Sequence, residues 1–263
     1  MCAEALSGGA LAAIPYFQQL QALFAQRLAH HQAGRGLAGT AWLDQVLGLG
    51  WRSFELSVAA QSEGLPPVDC QRGCATCCTL RVMATGPEVL MIARFIRTID
   101  SALQNRGIDL PGQIAQAHAD TAGLSAQERV SQRRPCPFIA QGVCVIYPVR
   151  PLACRGLASY DRKACAQAAS GKADDIPYAE PPMRVRSLVQ NALQAALRQS
   201  GLSWGIYELN GALTAALASA DSEASWVHGL QTWGEHLVQD VDAQEMARTF
   251  DAITALAWQD AVQ

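Results

Sequence analysis

Two stretches decide how this chain is read: Cys70-Gln-Arg-Gly-Cys74-Ala-Thr-Cys77-Cys78, and Cys136-Pro-Phe followed by Cys144-Val-Ile-Tyr147-Pro-Val-Arg150-Pro151-Leu-Ala-Cys154-Arg155, with Cys165 beyond. Eight of the nine cysteines fall within this span, and only Cys2 lies outside it. Thiols gathered this tightly are held by a metal, by disulfides or by redox chemistry. The N-terminal run Met1-Cys-Ala-Glu-Ala-Leu lacks the basic region of a secretory signal. No apolar stretch approaches the roughly 20 residues that span a bilayer. A soluble, cytoplasmic protein is therefore expected, with no membrane partner, and a reducing cytosol disfavours structural disulfides. Metal ligation remains, because thiolates select soft or borderline metals and a closed site takes four of them.

Outward from the cysteines the pattern is helical. Half of the 263 residues are apolar and 16% are charged, so the chain has the material for a packed core. The net charge of −3 gives no general pull toward nucleic acid. Phe17, Leu20, Leu23, Phe24 and Leu28 recur at helical spacing from Pro15 to His31, ahead of Gly34, Gly36 and Gly39. A second helix is expected from Thr40 to Glu63, weakened at Gly48 and Gly50 and ended by Gly64-Leu-Pro-Pro. Thr85, Pro87 and Glu88 form a capping box that starts a helix running to Leu103. A further helix is expected over 111–133, with Arg129, Arg133 and Arg134 on a solvated face. Seven prolines exclude long helices from 134–182, which needs another source of order such as metal ligation. Helices at about 183–199, 203–219, 223–239 and 242–260 complete the chain, with Trp204, Trp226, Trp233 and Trp258 as core residues.

The pattern divides the chain into N-terminal helices (1–65), a cysteine-cluster region (66–182) and a C-terminal helical region (183–263), compatible with one continuous domain. The fold class is mainly α, with helices packed around an irregular, cysteine-ligated metal or iron–sulfur centre. The candidate ligands are Cys70, Cys74, Cys77, Cys78, Cys136, Cys144, Cys154 and, second to these, Cys165. Eight thiols allow two four-cysteine sites or one cluster with spare thiols. Side chains at adjacent positions tend to diverge, so Cys77 and Cys78 are not expected on one metal ion. His118 is a possible substitute ligand; His30, His31, His228 and His236 have no ligand spacing. Tyr147, Arg150 and Arg155 lie between or beside the ligands. They either hold the irregular loops by packing and hydrogen bonds or bind the anionic group of a substrate.

Cys70-x3-Cys74-x2-Cys77 has the spacing of the three-cysteine loop in radical S-adenosylmethionine enzymes. Thr76 replaces their aromatic residue, however, and alternating strands and helices are absent. A broader likeness runs through Cys74-Ala-Thr-Cys77-Cys78, Thr85-Gly-Pro-Glu-Val-Leu-Met-Ile-Ala-Arg94, Cys136-Pro-Phe-Ile and the Cys144–Arg155 run. Over about residues 70–160 the chain resembles the YkgJ-type cysteine-cluster family, which is described as zinc- or iron-chelating. It departs from that family in having three residues between Cys70 and Cys74 where the family has two. Flagellin lysine N-methylases resemble the motif too, and imply an iron–sulfur centre tied to S-adenosylmethionine chemistry. No glycine-rich nucleotide loop is present. The expectation is an iron–sulfur protein, [4Fe–4S] ahead of zinc, acting by S-adenosylmethionine-dependent methyl transfer or related chemistry on a small-molecule or protein substrate. The alternative is a non-catalytic zinc- or iron-binding domain for metal handling or partner binding.

Overall fold

The apolar periodicity of the first third of the chain folds as two long helices, α1 (Gly9–Arg35) and α2 (Ala41–Gln61). The structure is a computed structural model that describes residues 9–35, 41–172, 175–230, 233–240 and 242–256. Cys2, Gly36, Gly39, Thr40 and Trp258 lie outside these residues. α2 runs unbroken through Gly48 and Gly50. Gly50 is buried, and a Cβ on it would stand 3.5 Å from the Phe24 ring, an ordinary contact distance.

After the first cysteine loop come β1 (Met83–Thr85), α3 (Gly86–Gln104), α4 (Leu110–Thr121) and α5 (Ala126–Gln132). The helix expected over 111–133 is thus two helices. Gly123, at φ +75°, takes the chain out of α4, and Ser125 opens α5 with its own capping box to Glu128. That break turns Arg129 inward rather than onto a solvated face. It is 6% exposed, pairs with Glu208 at 3.1 Å and donates to the Thr121 carbonyl.

The proline-rich stretch forms only short pieces. These are the hairpin β2 (Ile139–Ala140) and β3 (Val143–Cys144), a 3-10 turn at Tyr147–Val149, and α6 (Leu152–Arg155) and α7 (Arg162–Ala169). α8 (Glu180–Gln199) starts at Glu180-Pro181-Pro182, where proline and an acidic residue suit a first helical turn. Its Val185, Val189, Ala192, Leu193 and Ala196 fall on one buried face, and the helix packs against α1, α2 and α6. β4 (Ile206–Glu208), α9 (Leu209–Leu217), α10 (Ser222–Val227), a 3-10 turn at Gly234–His236 and α11 (Ala243–Ala255) follow. The fold is mainly helical. No helix among the described residues is long and apolar enough to cross a membrane.

β1 pairs antiparallel with β4, Ala84 opposite Tyr207, and each strand runs straight into a helix whose first turn is capped by a glutamate. This pairing joins the end of the first cysteine loop to the C-terminal helices. One apolar cluster extends from Tyr16 and Phe24 through Ile92 and Phe138 to Val189, Leu213 and Phe250. Trp226 is fully buried and stacks on Trp42 at 6.1 Å, and Trp42 donates to Glu223. Trp233 is buried as expected, but outside a helix.

α6 is held tightly against α8. A Cβ on Gly156 would stand 2.5 Å from the Cβ of Arg186, an atom fixed to the helix backbone. Gly156→Ala is therefore expected to cost about 1–3 kcal/mol of stability by overpacking. Thermal unfolding checks the cost, and a reduced metal content in the same sample would report that α6 has been pushed from its place.

Candidate metal centre

Three short segments carry the cysteines to one place, each shaped by local turn chemistry. In the first, Gly73 at φ +91° and hydrogen bonds from Cys74 N to Gln71 O and from Cys78 N to Ala75 O fold residues 70–78 into successive tight turns. In the second, Gln141 and Gly142 both have positive φ, the signature of a two-residue hairpin turn, which returns Cys144 beside Ile139. The third is α6, which presents Cys154. Cys136 N donates to Cys78 O at 2.7 Å, tying the first segment to the second. Ser159 N points at the Cys70 sulfur at 3.3 Å, and Asp69 N bonds to Ser159 O, which anchors the start of the loop.

The third segment is positioned by a residue that the sequence marks only as a helix cap. Glu88 is 1% exposed. One carboxylate oxygen accepts from Thr85 N and Thr85 Oγ1 at 2.8 and 2.9 Å, completing the capping box of α3. The other accepts from Leu152 N at 2.7 Å, so the same carboxylate caps α6 two residues before Cys154. Burial raises the Glu88 carboxyl above the usual range, opposed by these hydrogen bonds.

Cys70, Cys74, Cys77, Cys78, Cys136, Cys144 and Cys154 all line one cavity of about 290 Å³. No aspartate, glutamate or histidine lines it; the charged groups on its wall are Arg81, Arg150 and Arg186. Arg81 pairs with Asp240. The Nε atoms of Arg150 and Arg186 are buried without a hydrogen-bond partner among the described residues. Cys165, on α7, lies outside the cavity but close enough to Cys70 for their charges to interact. His118 is also away from it, beside Glu208 at 3.7 Å and edge-on to His236.

The thiols interact as a group. The neighbouring Cys78 thiol, with help from Arg150, lowers the Cys77 thiol to about 7, while Cys78 is driven up. Burial pushes Cys136 up to about 12 and also raises Cys144 and Cys154. Backbone N–H groups two residues ahead, from Phe138 and Ile146, hydrogen-bond to the sulfurs of Cys136 and Cys144 and oppose that rise. No three His, Cys, Asp or Glu side chains among the described residues converge as a single-ion site. The sulfurs surround a space rather than a point. An all-thiol donor set with aimed N–H groups and a cationic wall fits a soft, net-anionic metal centre and suits neither Mg²⁺ nor Ca²⁺.

Tyr147, Arg150 and Arg155 have distinct placements. Arg150 stacks over the Tyr147 ring at 4.0 Å and faces the cavity. Arg155 faces back into the protein. Its Nε and Nη2 donate to the carbonyls of Arg150 and Pro148, its Nη1 meets Glu55 at 3.3 Å, and it lies over the Trp51 ring. Arg155 thus ties the 148–150 loop to α2.

Residues 69–170 match the CxxCxxCC family. That family is described as a "putative zinc- or iron-chelating domain", and the matched stretch contains all three cysteine segments, α3 between them, and Cys165. No curated protein and no solved structure matches the chain. Within the CxxCxxCC stretch, the sequence signal for chelation and the cavity agree. Glu88 and the β1–β4 pairing are what the cysteine pattern alone leaves out; the capping box contained Glu88 without revealing its second partner.

Proposed function

We propose that three or four of the seven cavity cysteines hold a polynuclear iron–sulfur centre, [4Fe–4S] in form, and that the protein is an enzyme acting on a small molecule beside it. The observation that carries this reading is the number of thiols around one space. A zinc ion closes on four ligands at about 2.3 Å and leaves no cavity between them. Seven thiols about a 290 Å³ space favour a larger centre that keeps spare ligands or an open iron. When bound, such a centre supplies Lewis-acid or one-electron chemistry. The chain's own contribution is to orient and to exclude water. Arg150, with its buried Nε unpaired and Tyr147 beneath it, would bind the anionic end of a substrate, and Arg155 fixes the loop that carries Arg150. Methyl transfer from S-adenosylmethionine is the reaction class we attach to it, on the strength of the motif's likeness to flagellin lysine N-methylases.

The test is metal and sulfide analysis with an absorption spectrum on protein purified without oxygen. A brown protein with a broad band near roughly 400 nm and about four irons and four sulfides per chain is expected. S-adenosylmethionine should then perturb that spectrum. A colourless protein holding one or two zinc ions would sink the iron–sulfur reading and leave a zinc-chelating domain.

A further inference from the structure

A second, larger groove of about 570 Å³ runs alongside the cysteine cavity. The two share a wall: Cys70, Gln71, Tyr147, Arg150, Cys154 and Leu157 border both. The outer side of the groove is the turn that ends α2, where Leu65 and Val68 are 46% and 42% exposed and Pro66-Pro67 makes a stiff face between them. Opposite stand Leu157, Ala158 and Tyr160. The lining is mainly apolar, and its charged groups, Arg72, Arg150 and Arg155, are all cationic. Arg72 and Arg150 flank Tyr147 there, with the guanidinium carbons 5.8 and 4.0 Å from the ring centroid, and no carboxylate lines the groove.

The two arginines differ from the others nearby. Arg155 spends its donors on Pro148, Arg150 and Glu55, and so is a strut. Arg72 and Arg150 have no ion-pair partner among the described residues, and Arg150 Nε is buried with no acceptor. A guanidinium held on an aromatic face with an unused donor is a ready partner for a carboxylate or phosphate. The volume falls within the range of pockets for small organic ligands.

We propose that this groove binds an amphipathic anion: an apolar chain or ring lying along Leu65, Pro66, Val68 and Leu157, with its carboxylate or phosphate head between Arg72 and Arg150. The shared wall places that head next to the cysteine centre. Binding follows from the groove alone; only the ligand's role as a substrate rests on the proposed function.

The experiment is calorimetric titration of the protein, purified without oxygen, with decanoate, decyl phosphate and decan-1-ol below their micelle concentrations. One of the two anions is expected to bind at least tenfold more tightly than the alcohol, and the tighter of them identifies the head group. Val68→Glu puts a like charge on the exposed wall, and Arg72→Gln removes one cation. Each is expected to weaken the anion at least fivefold with metal content unchanged. Arg150→Gln is expected to weaken it further. Equal binding of anion and alcohol, no binding of either anion, or indifference to both Val68→Glu and Arg72→Gln overturns the proposal. Metal content read in the same samples keeps a failure of the centre distinct from a failure of the groove.

Discussion

Glu88→Ala is expected to lower stability by about 2–6 kcal/mol, because it strands two buried backbone donors at about 1–3 kcal/mol each. Those donors are Thr85 N and Leu152 N, at the starts of two different helices. A loss of that size is a large share of the roughly 5–15 kcal/mol that holds a domain together. Denaturant unfolding measures it. The more telling variant is Glu88→Gln, which keeps the shape but offers one oxygen and one NH2 group. Whichever way the amide turns, an N–H faces either Thr85 or Leu152, so a loss of about 1–3 kcal/mol is expected. If Gln is as stable as Glu, the double cap does not operate.

The pH dependence of this site has a definite sign. Burial raises the folded carboxyl above its unfolded value, so between the two the native state binds more protons than the unfolded one. The contribution of Glu88 to stability therefore falls as pH rises from the unfolded value through the raised folded value, and is level above it. Glu88→Gln removes that slope.

The second large effect is expected at Cys154. Cys154→Ser should cost the protein its metal, with affinity falling by at least about a hundredfold, whereas Cys165→Ser should leave metal content and unfolding temperature near those of the parent. The contrast follows from placement. Cys154 lines the cavity, interacts electrostatically with Cys136, Cys144 and Cys77, and sits on the helix that Glu88 caps. Cys165 sits on α7, outside the cavity, and interacts with Cys70. The metal-to-protein ratio after gel filtration decides it. Retention of metal by Cys154→Ser together with loss in Cys165→Ser would move the centre toward the Cys70 side.

Much of this was legible in the residues. Thr85 and Glu88 announce their helix because a capping box is local, and proline density kept 134–182 free of long helices. Cysteine spacing marked the thiols that the fold gathers around one cavity. What escaped the sequence is non-local or too short to be periodic. β1 and β4 have three residues each, and alternation over three residues is not a signal; their partnership exists only once the chain has folded. The break at Gly123–Ser125 does carry a local signal, a glycine followed by the Ser125–Glu128 capping-box spacing, but the inward turn of Arg129 that it produces does not. Leu152 N as a partner for Glu88 could not be read at all, since nothing in a sequence says which distant backbone donor a buried carboxylate will meet.

The shared walls of the cysteine cavity have a consequence for how the protein is made. Its lining begins at Cys70 in the first loop but includes Arg186 on α8 and Leu209 at the start of α9. At about 5–20 residues per second, the first thiols leave the ribosome on the order of ten seconds before the residues that enclose them. The chamber is thus complete only once Leu209 has emerged. Until then the thiols of the first loop stand open to oxidants and to whichever metal arrives first. A truncation before Leu209 is expected to yield a chain with every cavity cysteine and no complete chamber to hold what they bind.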